Sequence, residues 1–110
     1  MDVMTKMDIS RIEPLEALVA KEPGNSLAHY MLANEYLKVG RHERALQELE
    51  VYFGMVDDEG AGYRMAATAN LVLGRREEAR EAYRRGIEAA ERHHHPGMAS
   101  EFREALEDMA

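Results

Sequence analysis

The chain has 110 residues, no cysteine, and a formal net charge of −7 from 14 Lys plus Arg against 21 Asp plus Glu. That length supports one domain with a sizeable core, and the missing thiols exclude a disulfide framework and a thiolate metal site. The acidic surface repels phosphate backbones and anionic lipid, which sets nucleic acid and membrane surfaces aside as partners.

No apolar run approaches the roughly 18 residues of a membrane span. Residues 1–8 lack the basic-then-apolar order of a signal peptide, so the expected location is cytoplasmic.

Proline occurs only at positions 14, 23 and 96, and most glycines fall between segments of helical periodicity. The first such segment, about residues 8–21, carries Leu15, Leu18 and Val19 on one face. Two starts are open for it. Ser10 and Glu13 have capping-box spacing, and Glu13 also precedes a start with Pro14 as first helical residue. Pro23-Gly24-Asn25-Ser26 closes that helix and caps the next.

A second helix over about 26–39 has Leu32, Ala33, Tyr36 and Leu37 at amphipathic spacing, and Gly40 ends it. The third, about 42–55, presents Ala45, Leu46, Leu49, Tyr52 and Phe53. After the polar turn Asp57-Asp58-Glu59-Gly60, helices are expected at about 60–73 and 76–92. His93-His94-His95-Pro96-Gly97 breaks the chain before a last helix over 98–109, with Met98, Phe102, Leu106 and Met109 in line. No segment alternates as a strand does. The fold is therefore expected to be all-α, with about six helices in antiparallel pairs stacked as a short right-handed solenoid.

The chain also repeats itself. Met31, Ala33, Leu37, Gly40, Arg41, Glu43 and Ala45 recur 34 residues later as Met65, Ala67, Leu71, Gly74, Arg75, Glu77 and Ala79. A fixed period of this length marks units that bury their apolar faces on one another. Small side chains let two helices cross closely, a role assigned to Ala33 with Ala45 and to Ala67 with Ala79.

These residues resemble the tetratricopeptide repeat, whose 34-residue unit has a W-x2-L-G-x2-Y…A-x3-F…P pattern. His29, Leu32, Ala33, Tyr36, Gly40, Ala45, Leu49 and Tyr52 match it in the first unit. Tyr63, Ala66, Ala67, Asn70, Gly74, Ala79, Tyr83 and Gly86 match it in the second. His29 departs from the large aromatic, Asn70 from tyrosine, and Asp57 from the closing proline. The resemblance implies a half repeat at 8–25, full repeats at 26–59 and 60–93, and a capping helix at 97–109.

It further implies that the first helix of each pair lines a concave surface that takes a peptide or protein segment. The residues so placed are Leu27, Tyr30, Met31, Asn34 and Lys38, continued by Arg64, Met65, Thr68 and Val72. Met31 and Met65 serve equally well as core fillers. Members that clamp a chaperone's terminal carboxylate use a lysine, then an asparagine one turn on, then an asparagine in the next unit. Asn34 fits this pattern, but Tyr30 and Met65 hold the other positions, which disfavours chaperone-tail binding.

Other chemistries find little support. The arginines of residues 75–85 alternate with glutamates, as on a solvated helix face. Consecutive histidines point about 100° apart on a helix, so His93, His94 and His95 are read as a solvated helix terminus and no metal or cofactor is assigned. With no cysteine, phosphate loop or nucleophile elbow, the chain is read as a binding scaffold and not an enzyme. Two full repeats are fewer than the three usually needed for stability, so self-association into a homodimer is the first alternative role, and a histidine-based metal-binding protein the second.

Overall fold

The structure, a computed structural model, describes residues 3–110, with side chains from Arg11 onward. Among these residues there are six α-helices and no strand: α1 (Val3–Lys21), α2 (Ser26–Lys38), α3 (His42–Met55), α4 (Ala61–Val72), α5 (Arg76–Arg92) and α6 (Pro96–Asp108). They form two compact units, one up to Val56 and one over Asp57–Ala110. In the first unit α2 packs against α3 and α1; in the second α5 packs against α4 and α6.

The expected helices appear with small shifts at their ends, apart from the first. Helix α1 starts before either predicted position and carries Pro14 within it. The proline removes one backbone bond, the one its N–H would make to the residue-10 carbonyl. Pro14 is exposed, and no other helix breaker interrupts Val3–Lys21, so the single loss does not stop the helix. The capping side chain considered at Ser10 lies outside the described side chains. Helix α6 begins two residues earlier than expected, with Pro96 in its first turn, a position where the missing N–H costs nothing.

Side-chain and backbone chemistry explain where the helices begin and end. The Asn25 side chain accepts the Ala28 N–H at 3.0 Å and caps α2. At its far end Gly40 has φ +78°, the Gly40 N–H bonds to Leu37, and the Arg41 N–H bonds to Tyr36. Gly74 repeats this arrangement at φ +76°, with bonds to Leu71 and from Arg75 to Asn70. Both are left-handed helix stops that glycine adopts without strain.

The core of each unit rests on alanines. Ala33 and Ala45 are fully buried in the first, and Ala67 and Ala79 in the second. Around them sit Ile12, Leu32 and Leu49 in the first unit and Phe102 in the second, the largest fully enclosed side chains. Gly86 admits the Phe102 ring of α6: a methyl in its place would lie 2.7 Å from that ring and 3.2 Å from Tyr63 Cβ.

Candidate functional site

Helix α2 buries Ala28, His29, Leu32, Ala33, Glu35 and Tyr36 and turns the rest of its surface outward. On that outer face Leu27 is 63% exposed and Met31 45%. Tyr30 is half-buried, its ring tilted on Tyr52 of α3 with centroids 5.1 Å apart. Asn34 is exposed, and Lys38 donates to Glu35 Oε1 at 3.2 Å. Five residues from the sequence reading thus share one helix face in the first unit, with apolar groups toward its N-terminal end and polar ones toward its C-terminal end.

In the second unit, α4 carries the other four. Val72 is 60% exposed, Thr68 is exposed with its hydroxyl donating to the Arg64 carbonyl, and Met65 is half-buried. Arg64 is already engaged. Its Nε and Nη2 donate to the two Glu101 oxygens at 2.6 and 2.7 Å, and its guanidinium lies 5.5 Å from the Phe102 ring centre. The fork holds the Glu101 carboxyl below the usual carboxylate range. The guanidinium is thereby held flat and in position, with its carboxylate-binding fork filled by the chain's own Glu101.

Several polar residues act otherwise than the sequence suggested. His29, read as a substitute for an aromatic, is 4% exposed. Its Nε2 donates to the Pro23 carbonyl at 2.8 Å, and its Nδ1 lies 2.6 Å from Glu48 Oε2. Glu48 stands 19 positions away on α3, so only helix packing brings the two together. Glu35 is buried beside Arg11 and Lys38, with its Oε2 lacking a hydrogen-bond partner among the described residues. Asp58 is buried and accepts the Gly60 and Gly62 N–H groups at 2.8 and 2.9 Å, so it serves the start of α4.

The histidine run is not simply a solvated terminus. His93 Nε2 reaches Asp57 at 2.9 Å, His95 Nε2 reaches Glu59 at 3.3 Å, and Arg92 donates to Asp57 at 2.7 Å. Bonds from Arg92 and His93 hold the Asp57 carboxyl below its usual range. Only His94 is exposed, with φ 60°. Among the described residues no three His, Asp or Glu side chains are placed to hold a metal ion. An open cleft of about 540 Å³ at this corner is lined by Glu91, His94, His95, Pro96, Ala99 and Arg103. Its arginine is paired with its glutamate at 3.0 Å.

The arginines of α5 are largely spoken for within the chain. Arg80 pairs with Glu77, and Arg84 and Arg85 pair with Glu81 at 3.4 and 3.2 Å. Arg76 and Arg80 also donate to the Met109 carbonyl at 2.8 and 3.0 Å, holding the end of α6. No described helix is long and apolar enough to cross a membrane.

Comparison with known proteins agrees with the repeat pattern. A family model described as tetratricopeptide repeat matches residues 15–47. The chain is also similar to a TPR repeat-containing protein of Pseudomonas aeruginosa, at 32% identity over 82 residues, covering 74% of this chain and 78% of the relative.

Proposed function

Because the chain belongs to the tetratricopeptide repeat family, whose members generally mediate protein–protein interaction, we propose that it is a non-enzymatic adaptor that takes a peptide or protein segment on its first-of-pair helices. The observation that carries this reading is the outer face of α2, where Leu27 and Met31 are solvent-exposed beside Tyr30, Asn34 and Lys38. Exposed large apolar groups next to polar ones are the usual makeup of a contact surface with a few anchors. Tyr30 offers a rigid anchor already steadied by Tyr52, and Met31 an adaptable one. In the second unit Arg64, Met65, Thr68 and Val72 offer α4 the same mixture, with the charge of Arg64 already paired to Glu101. The setting in this reading is the cytoplasm.

The test is affinity capture from lysate of the source cell, with wild type beside a variant combining Tyr30→Ala, Asn34→Ala and Arg64→Glu. A protein retained by wild type and lost by the folded variant supports binding on these faces and identifies the partner. Identical capture by both, or none by either, overturns the assignment.

A further inference from the structure

We propose that His29, Glu48 and the Pro23 carbonyl form a proton-operated latch that ties the α1–α2 turn to α3 below neutral pH and releases it as the pH rises. The argument begins with the chemistry of the two acceptors. A carbonyl oxygen can only accept, so His29 Nε2 carries a hydrogen toward Pro23 at 2.8 Å. A carboxylate oxygen stands 2.6 Å from Nδ1 on the other side of the ring. One proton must lie between them, whether it resides on the imidazole or on the acid. Either placement gives the pair zero net charge, which a site only 4% exposed can hold.

Removing that proton changes the balance. A lone pair on Nδ1 would then face a carboxylate at 2.6 Å, and the buried pair would carry a full negative charge. Low dielectric makes such an arrangement costly, and Glu48, 21% exposed at its side chain, has a route to water. The carboxylate therefore swings out, and the ring loses its tie to α3.

No neighbouring charge takes over. Glu16 of α1 and Arg44 of α3 pair with each other at 3.7 Å, and the Tyr36 hydroxyl donates to Glu16 at 2.5 Å. Arg44 also lies over the Tyr36 ring, and Glu35 of α2 pairs with Lys38. Burial and Glu16 push the Tyr36 hydroxyl up to about 12, so it stays protonated throughout. Among the described residues, Glu48 is the charged group that reaches the imidazole.

The direction of the proton equilibrium agrees with the geometry. Burial lowers the His29 value, but the bonds to Glu48 and Pro23 outweigh it and leave the imidazole above its ordinary range. A group raised in the folded state gives its full stabilisation below the unfolded value, about 6.5 for histidine. It loses that stabilisation as the pH rises through the folded value. The latch is thus closed in mild acid and opens on the alkaline side.

The experiment follows the full chain from pH 5.5 to 8.5 by imidazole ¹⁵N shifts of His29 and by amide exchange, corrected for intrinsic rates, across residues 18–30. Expected are protonation of both ring nitrogens at low pH and loss of protection in the turn as the ring deprotonates. Glu48→Gln replaces the shared proton by an amide N–H donated to neutral Nδ1, so its protection should stay constant across the range. His29→Phe fills the site without a titrating group and should also remove the pH dependence. Should His29→Phe not fold, Glu48→Gln decides the matter alone. Unchanged wild-type protection across the range, or a wild-type profile in Glu48→Gln, would overturn the latch.

Discussion

His94 holds φ 60° at the end of α5, in the same left-handed stop that Gly40 and Gly74 supply to α2 and α4. The bonding is also the same, since the His94 N–H reaches Glu91 and the His95 N–H reaches Ala90 at 2.7 Å. A side chain in this conformation costs roughly 1–2 kcal/mol that glycine does not incur. Its side chain is exposed, and among the described residues no hydrogen bond of that side chain offsets the cost. His94→Gly should accordingly raise stability by about 1 kcal/mol, less the entropy of a freer unfolded chain. Gly74→Ala, with open space around its Cβ position, should lower it by about the same amount. Chemical denaturation of the two variants checks both signs. Asp58 is a residue-scale case of a different kind. Its truncation leaves the Gly60 and Gly62 N–H groups without their buried acceptor, at about 1–3 kcal/mol for the loss of a buried partner. The same denaturation assay on Asp58→Ala reads it.

At the scale of elements, the helix pairs meet through residues too small to replace. Ala45 and Ala79 have no exposed surface where α3 meets α2 and α5 meets α4. Ala45→Leu or Ala79→Leu should overpack these contacts at about 1–3 kcal/mol each, and an unchanged melting temperature in both would refute the pairing. Gly86 sets how close α6 comes to α5, because Phe102 occupies the space a side chain needs. Gly86→Ala should destabilise the second unit by a similar amount, about 1–3 kcal/mol, with loss of amide protection centred on α5 and α6. The alanine and glycine positions were legible as matches to the repeat. That Gly86 answers to Phe102, 16 residues on, was not, since no local pattern links the two.

For the whole molecule, the two units are expected to respond to opposite ends of the pH scale. The raised His29 imidazole stabilises the first unit below about pH 6.5 and loses that contribution as the pH rises. Asp57 and Glu101 lie in the second unit and are both held below their usual range, by Arg92 with His93 and by Arg64 respectively. Lowered carboxyls contribute stability above their unfolded values, about 4, and lose it as the pH falls through the folded ones. Residue-resolved amide exchange should show the alkaline loss up to Val56 and the acid loss in Asp57–Ala110. The carboxyls are largely exposed, so salt should weaken the second effect and leave the first.

The amino-acid sequence alone determined that the chain is helical, where most helices start and stop, and which small residues recur at 34. These follow from local rules: periodicity, caps, turn glycines and the repeat itself. Tertiary structure decided which polar groups meet. His29 and Glu48 come together because α2 packs on α3, and Arg64 finds Glu101 because α6 lies within reach of α4. Asp57 and Asp58 are neighbours in one polar turn, yet one is exposed against Arg92 and the other buried against backbone amides. Charge and hydrogen-bonding partners depend on distances through space, and spacing along the chain carries that information only where a helix or turn makes the two the same.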